Sequence, residues 1–154
     1  MNISRSSELN CDEFYRYQMP TPKVVNQGSG NGVETYINNL DDIAQSLKRP
    51  SIYIIKYIGN TLGTNMRKDK HTNKYIINGR YASTQIIECI QKFIDVYVLC
   101  TTCGLPETDL KIKQRKEKVS KICNSCGSKE DIVIDKTGNF IIKNNIKQSS
   151  TVIL

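Results

Sequence analysis

The chain has 154 residues, 38% of them hydrophobic, enough for one ordinary domain or two small ones with a modest core. Twenty-two Lys and Arg against fifteen Asp and Glu leave a formal charge of +7, which suits an anionic partner such as RNA or an acidic protein and equally a plain solubility role. No stretch reaches the roughly 18 apolar residues of a membrane helix, and the polar start Met1-Asn2-Ile3-Ser4-Arg5-Ser6 is neither signal nor transit peptide. The expected compartment is therefore the cytoplasm. Thiols stay reduced there, so the six cysteines read as metal ligands plus two spares, Cys11 and Cys89.

Residues 1–22 are polar apart from Phe14-Tyr15-Arg16-Tyr17-Gln18-Met19-Pro20, and Pro20 and Pro22 stop any helix, so an exposed arm is expected. Val24-Val25 and Val33 to Ile37 read as two strands around the glycine-rich loop Gly28-Ser29-Gly30-Asn31-Gly32. Leu40, Ile43, Ala44 and Leu47 fall at helical spacing between an Asn38 or Asn39 cap and Pro50. The run Ile52 to Ile58 has strand propensity, while Pro50 near its start also suits a helix, and the sequence leaves both open. Lys74 to Ile77 reads as a strand entering a hairpin with the one before His71-Thr72-Asn73.

From a Ser83 or Thr84 cap, Ile86, Ile87, Ile90, Phe93, Ile94 and Tyr97 draw one apolar stripe and predict a helix running directly into Cys100. The expected organisation is an α/β domain over 23–97, a ribbon over 98–135, and a basic, loosely ordered tail over 136–154. The fold class is α+β, a small mixed α/β domain followed by a four-cysteine zinc ribbon.

Cys100-Thr-Thr-Cys103-Gly104 and Cys123-Asn-Ser-Cys126-Gly127 are separated by nineteen residues, 104–122, within the spacing of a structural zinc site. Two thiolates two residues apart can grip one ion from a tight turn, and the glycine after each pair relieves that turn. Four thiolates close the tetrahedron, so one zinc ion per chain would stabilise structure and carry out no catalysis. Between the pairs, Asp109 to Gln114 and Lys118 to Ile122 alternate polar and apolar residues as two antiparallel strands do. This hairpin carries Lys111, Lys113, Arg115, Lys116, Lys118 and Lys121 against Glu117. Such a surface fits an RNA backbone, and it also fits lysines that guard a strand edge against aggregation.

An α/β domain leading into a four-cysteine ribbon resembles the family shared by translation initiation factor 5 and the beta subunit of initiation factor 2. The resemblance covers roughly residues 10–145. Phe14 to Pro20 is similar to the Phe-Tyr-Arg-Tyr-Lys-Met-Pro of factor 5, and Leu105-Pro106-Glu107-Thr108-Asp109-Leu110 follows the first knuckle as it does there. Gly30-Asn31-Gly32, Lys48-Arg49-Pro50, Lys56-Tyr57, Leu62-Gly63 and Ile77-Asn78-Gly79 are further landmarks.

The resemblance implies a monomeric, non-enzymatic factor that joins the preinitiation complex on the small ribosomal subunit. Its expected partners are initiation factor 2, through the gamma subunit and its GTP, and initiator tRNA or rRNA. It places Arg16 as an arginine finger acting in trans on that GTP, with Lys56 in support. From the motif alone the favoured reading of Arg16 is an ordinary surface Arg stacked on tyrosine, and it is the resemblance that tips it towards the finger. The alternative is a binding subunit like the beta subunit of factor 2, which contacts the gamma subunit, tRNA or rRNA without accelerating hydrolysis. Ser29 and Glu34 stand where factor 5 has lysines, the second of which supports GTPase activation. The sequence ends at Leu154 without a counterpart of the helical C-terminal domain of factor 5, as expected of a shortened protein or a fragment.

Overall fold

The computed structural model describes residues 1–3, 14–113 and 115–151, which divide into two compact units, Met1–Ile94 and Asp95–Leu154. Cys11 lies outside the described residues.

In the first unit, β1 (Val24–Gln27), β2 (Glu34–Ile37), β3 (Met66–Lys68) and β4 (Tyr75–Asn78) form one antiparallel sheet in the order β1-β2-β4-β3. Helix α1 (Leu40–Leu47) buries Leu40, Ile43, Ala44 and Leu47, the four positions whose spacing predicts it. It ends where Lys48 turns left-handed at φ 55° and its N–H reaches back to the last carbonyls.

The open question at 52–58 is settled as a helix, α2 (Ser51–Leu62), which starts after Pro50 and packs against α1, β3 and β4. Its β-branched residues are outweighed by burial, because Tyr53, Ile54, Ile55 and Ile58 all enter the core. The hairpin partner of β4 is accordingly the short strand β3, in register Met66↔Ile77, Arg67↔Ile76 and Lys68↔Tyr75. Helix α3 (Ser83–Tyr97) follows. Its Phe93 ring meets Tyr57 of α2 edge-on at 5.6 Å.

The N-terminal segment differs from an exposed arm. Ile3 N–H donates to Tyr17 O at 2.9 Å, Met19 N–H to Met1 O at 2.8 Å, and the Met1 amino group to Met19 O at 2.8 Å. Ile3 and Met19 are only 2% and 3% exposed, so apolar side chains anchor both described ends of the segment.

In the second unit, β5 (Thr108–Lys113), β6 (Lys118–Cys123) and β7 (Lys129–Ile132) form a three-stranded antiparallel sheet. The third strand adds to the expected hairpin. The segment expected to be a loose tail is helix α4 (Lys136–Thr151), packed on β5 and β6 through buried Thr137, Ile141 and Ile142. Asp135 starts it, its Oδ1 accepting the Gly138 N–H at 2.7 Å. No helix among the described residues is long and apolar enough to cross a membrane.

Candidate functional site

Two turns of the same construction hold the cysteines. In the first, Gly104 N–H donates to Cys100 O at 2.9 Å and Cys100 N–H to Leu105 O at 3.0 Å; in the second, Gly127 N–H donates to Cys123 O at 3.0 Å and Cys123 N–H to Ser128 O at 2.9 Å. Each turn needs a left-handed residue after its second cysteine, and Gly104 and Gly127 supply it at φ 73° and 76°. The turns bring Cys100, Cys103, Cys123 and Cys126 together with all four sulfurs within 4.8 Å of one another. Two of the inter-knuckle separations are 3.7 Å, Cys100 to Cys126, and 3.6 Å, Cys103 to Cys123.

Electrostatics separate these thiols. Burial pushes Cys100 up, but the Ser128 hydroxyl and the backbone N–H groups of Cys103 and Thr102 outweigh it and bring it down to about 6. For Cys103 the Leu105 N–H favours the thiolate, yet burial and the neighbouring sulfurs of Cys123, Cys100 and Cys126 carry it up to about 12. Four thiols so close cannot all ionise by themselves, and a bound cation removes the conflict. The cluster is therefore placed to bind a metal ion. Cys89, by contrast, is buried in the first unit with its thiol pushed up by desolvation, as in an inert core cysteine.

Arg16 is exposed in the N-terminal segment with its guanidinium carbon 5.6 Å from the Tyr17 ring centroid, and Tyr17 meets Tyr15 edge-on at 5.8 Å. Phe14 beside them is 94% exposed. Lys56 sits half-buried on α2. Glu34 forms an ion pair with Arg67 at 2.5 Å and accepts from Gln27 Nε2 at 3.2 Å. The Arg67 guanidinium holds the Glu34 carboxyl below the usual carboxylate range, so this acid faces a cation from β3.

The basic hairpin is less uniform than its composition. Lys111, Arg115, Lys116 and Lys118 are exposed and Lys113 half-exposed. Lys121 is 2% exposed, with Nζ donating to Val96 O at 3.1 Å and lying 3.4 Å from Glu130. It is a buried structural ion pair and leaves the set of candidate RNA contacts. Strand alternation carried the signal, since Lys121 shares its face with buried Val119 and Cys123.

An α/β unit and a three-stranded ribbon gripped by two cysteine knuckles define a protein of the four-cysteine metal-ribbon class. Residues 7–129 match the family described as a domain found in initiation factors 2B and 5, and the chain belongs to that family. It is 36% identical over 152 residues to eukaryotic translation initiation factor 5 of Pongo abelii, covering 98% of this chain and 35% of that protein. It is 38% identical over 147 residues to probable eukaryotic translation initiation factor 5 of Schizosaccharomyces pombe, 94% of this chain and 36% of that protein. With factor 5 of Saccharomyces cerevisiae it shares 35% over 145 residues, 94% of this chain and 35% of that protein. The chain thus spans about a third of the length of the curated relatives it matches.

Proposed function

We propose that this protein acts in translation initiation, in the cytoplasm, as a relative of factor 5 that joins the small-subunit complex and uses Arg16 to accelerate GTP hydrolysis by initiation factor 2. The observation that carries this is Arg16 itself, exposed between Tyr15 and Tyr17 in a chain that aligns with factor 5 over 98% of its length. A guanidinium supplied in trans neutralises charge developing on the transferred phosphoryl group, an effect worth about 10³ to 10⁵ in rate for arginine fingers. The Tyr17 face orients the guanidinium, and Phe14 offers an apolar anchor at an interface. Lys56 would add positive charge near the same nucleotide. The protein itself is not the enzyme; the GTPase belongs to factor 2.

The metal we assign is zinc. Four thiolates in a closed tetrahedron with Zn–S bonds of about 2.3 Å have edges of about 3.8 Å, and the 3.7 and 3.6 Å pairs match this. Zinc bound there would hold the two knuckles together and leave no open position for substrate. Exposed Lys111, Lys113, Arg115, Lys116 and Lys118 would contact initiator tRNA or rRNA, the charge a phosphate backbone requires.

The test is single-turnover GTP hydrolysis by a factor 2 ternary complex on small ribosomal subunits, with and without the zinc-loaded protein. Stimulation by orders of magnitude is expected. Binding to the complex without stimulation would overturn the finger and leave a binding subunit like the beta subunit of factor 2.

A further inference from the structure

We propose that the Ser128 hydroxyl is a positioning group of the metal centre, a hydrogen-bond donor to its sulfurs that joins the two knuckles and slows escape of the ion. This rests on the four-thiolate zinc reading above and adds to it a residue that is not itself a ligand.

The distances place the hydroxyl. Ser128 Oγ lies 3.1 Å from Cys100 Sγ, in the first knuckle, and 3.1 Å from Cys126 Sγ, in the second. Those two sulfurs are 3.7 Å apart, so the hydroxyl spans one edge of the cluster. The backbone of Ser128 is held independently, its carbonyl accepting the Cys123 N–H at 2.9 Å.

The turn does not need a hydroxyl at this position. The first knuckle is built in the same way, with Cys100 N–H donating to Leu105 O at 3.0 Å, and Leu105 is the counterpart of Ser128, one residue beyond the glycine. An apolar side chain therefore serves that construction equally well, and the Ser128 hydroxyl is left for the sulfurs.

The charge of the loaded site gives the contact its worth. Four thiolates around one divalent cation leave two negative charges uncompensated, and hydrogen bonds to an ionised acceptor are roughly twice as strong as neutral ones. Cys126 N–H points at Cys123 Sγ at 3.5 Å, a donor and an acceptor within one knuckle. Ser128 Oγ instead reaches across. A hydroxyl carries one proton and two lone pairs, so without metal it can accept from the Cys126 thiol while donating to Cys100. With all four sulfurs ionised it can only donate, and its bond to Cys100 is the one that opening the knuckles must break.

The experiment loads the full chain with cobalt(II), which occupies tetrahedral thiolate sites as zinc does and reports on the sulfurs through its sulfur-to-metal charge-transfer band. Zinc affinity and release are measured in parallel by competition with a chelator. Ser128→Ala and Ser128→Val remove the hydroxyl and keep the backbone bonds, whereas Ser128→Thr keeps a hydroxyl in the shape of Val. A hydrogen bond lowers the energy of a sulfur lone pair, so Ser128→Ala and Ser128→Val should move the band to lower energy. They should also weaken zinc binding by about 10-fold or more, the usual cost of losing an outer partner of a metal ligand, and speed zinc release. Ser128→Thr should restore band and affinity towards wild type. An unmoved band with weakened binding in all three variants would reduce Ser128 to packing and overturn the proposal. A shifted band with unchanged affinity and release would leave a hydrogen bond that does not retain the ion, and overturns it too. If Ser128→Ala changes nothing while wild type shows a tetrahedral cobalt spectrum, the role of Ser128 falls and the four-thiolate reading stands. A wild-type protein without that spectrum removes both.

Discussion

Tyr97, at the end of α3, donates its phenol to Asp135 Oδ1 at 2.8 Å, and that same oxygen accepts the Gly138 N–H that opens α4. One carboxylate thereby caps a helix and ties it to the segment entering the first knuckle. Asp135→Ala should cost about 1 kcal/mol through loss of the cap, plus loss of the Tyr97 hydroxyl's hydrogen bond to this carboxylate, which is of similar size. Tyr97→Phe should cost about 1 kcal/mol or less. Urea unfolding of the zinc-loaded protein, followed by α4 helicity, checks both; equal stability for Asp135→Ala and wild type would show that the cap contributes nothing.

The metal prediction concerns stoichiometry and protons. One ion per chain is expected, and Cys100→Ser or Cys123→Ser should abolish tight binding, while Cys89→Ser and Cys11→Ser leave metal content unchanged. With Cys103 held up to about 12 in the metal-free cluster and Cys100 already down to about 6, loading near pH 7 must displace protons, the Cys103 proton first among them. Acidification reverses the exchange, because protons and metal compete for the same sulfurs. Metal analysis and dye-detected proton release on titrating zinc into the reduced apo-protein measure this directly.

Glu34 and Arg67 give a pH-dependent contact on the sheet of the first unit. Because Arg67 lowers the Glu34 pKa on folding, its contribution is present above the ordinary carboxylate value and fades as pH falls through the depressed one. Arg67 is exposed and Glu34 partly so, so the effect is small and screened by salt. Arg67→Ala should raise the Glu34 pKa towards its ordinary value in a carboxylate-detected NMR titration. Glu34→Lys should destabilise the fold slightly, since it sets a second cation against Arg67; a rise in thermal stability would contradict the pairing.

What could be read from the sequence was what local spacing decides. Cys100, Cys103, Cys123 and Cys126 are legible because a knuckle is built from neighbours in the chain, and α1 and α3 because their apolar residues recur on one face. Ile52 to Ile58 stayed ambiguous since a helix buried through Tyr53, Ile54, Ile55 and Ile58 shows little polar face. Helix α4 was hidden by Gly138, Asn139 and Asn144, weak helix formers; the Asp135 cap and burial of Ile141 and Ile142 on the ribbon favour it instead. The third ribbon strand β7 depends on its register with β6, which no local pattern announced.

The sharpest prediction concerns Arg16. Because its guanidinium is exposed and its described contact is the Tyr17 ring, Arg16→Ala should change folding stability by less than about 1 kcal/mol. As a finger it acts in the transition state, so the stimulated rate of GTP hydrolysis should fall by about 10² or more while binding to the initiation complex stays nearly intact. Arg16→Lys should fail similarly, since a compact ammonium lacks the planar fork of donors and stacks less well on Tyr17. Tyr17→Ala should give a partial defect, because it frees the guanidinium from its stacking partner without removing it, whereas Tyr17→Phe should retain the ring and most of the rate. Stopped-flow phosphate release, with binding measured in parallel, separates these outcomes. A stacking role alone predicts the opposite pattern: a small loss of melting temperature for Arg16→Ala and Tyr17→Ala, and unchanged hydrolysis at saturating protein.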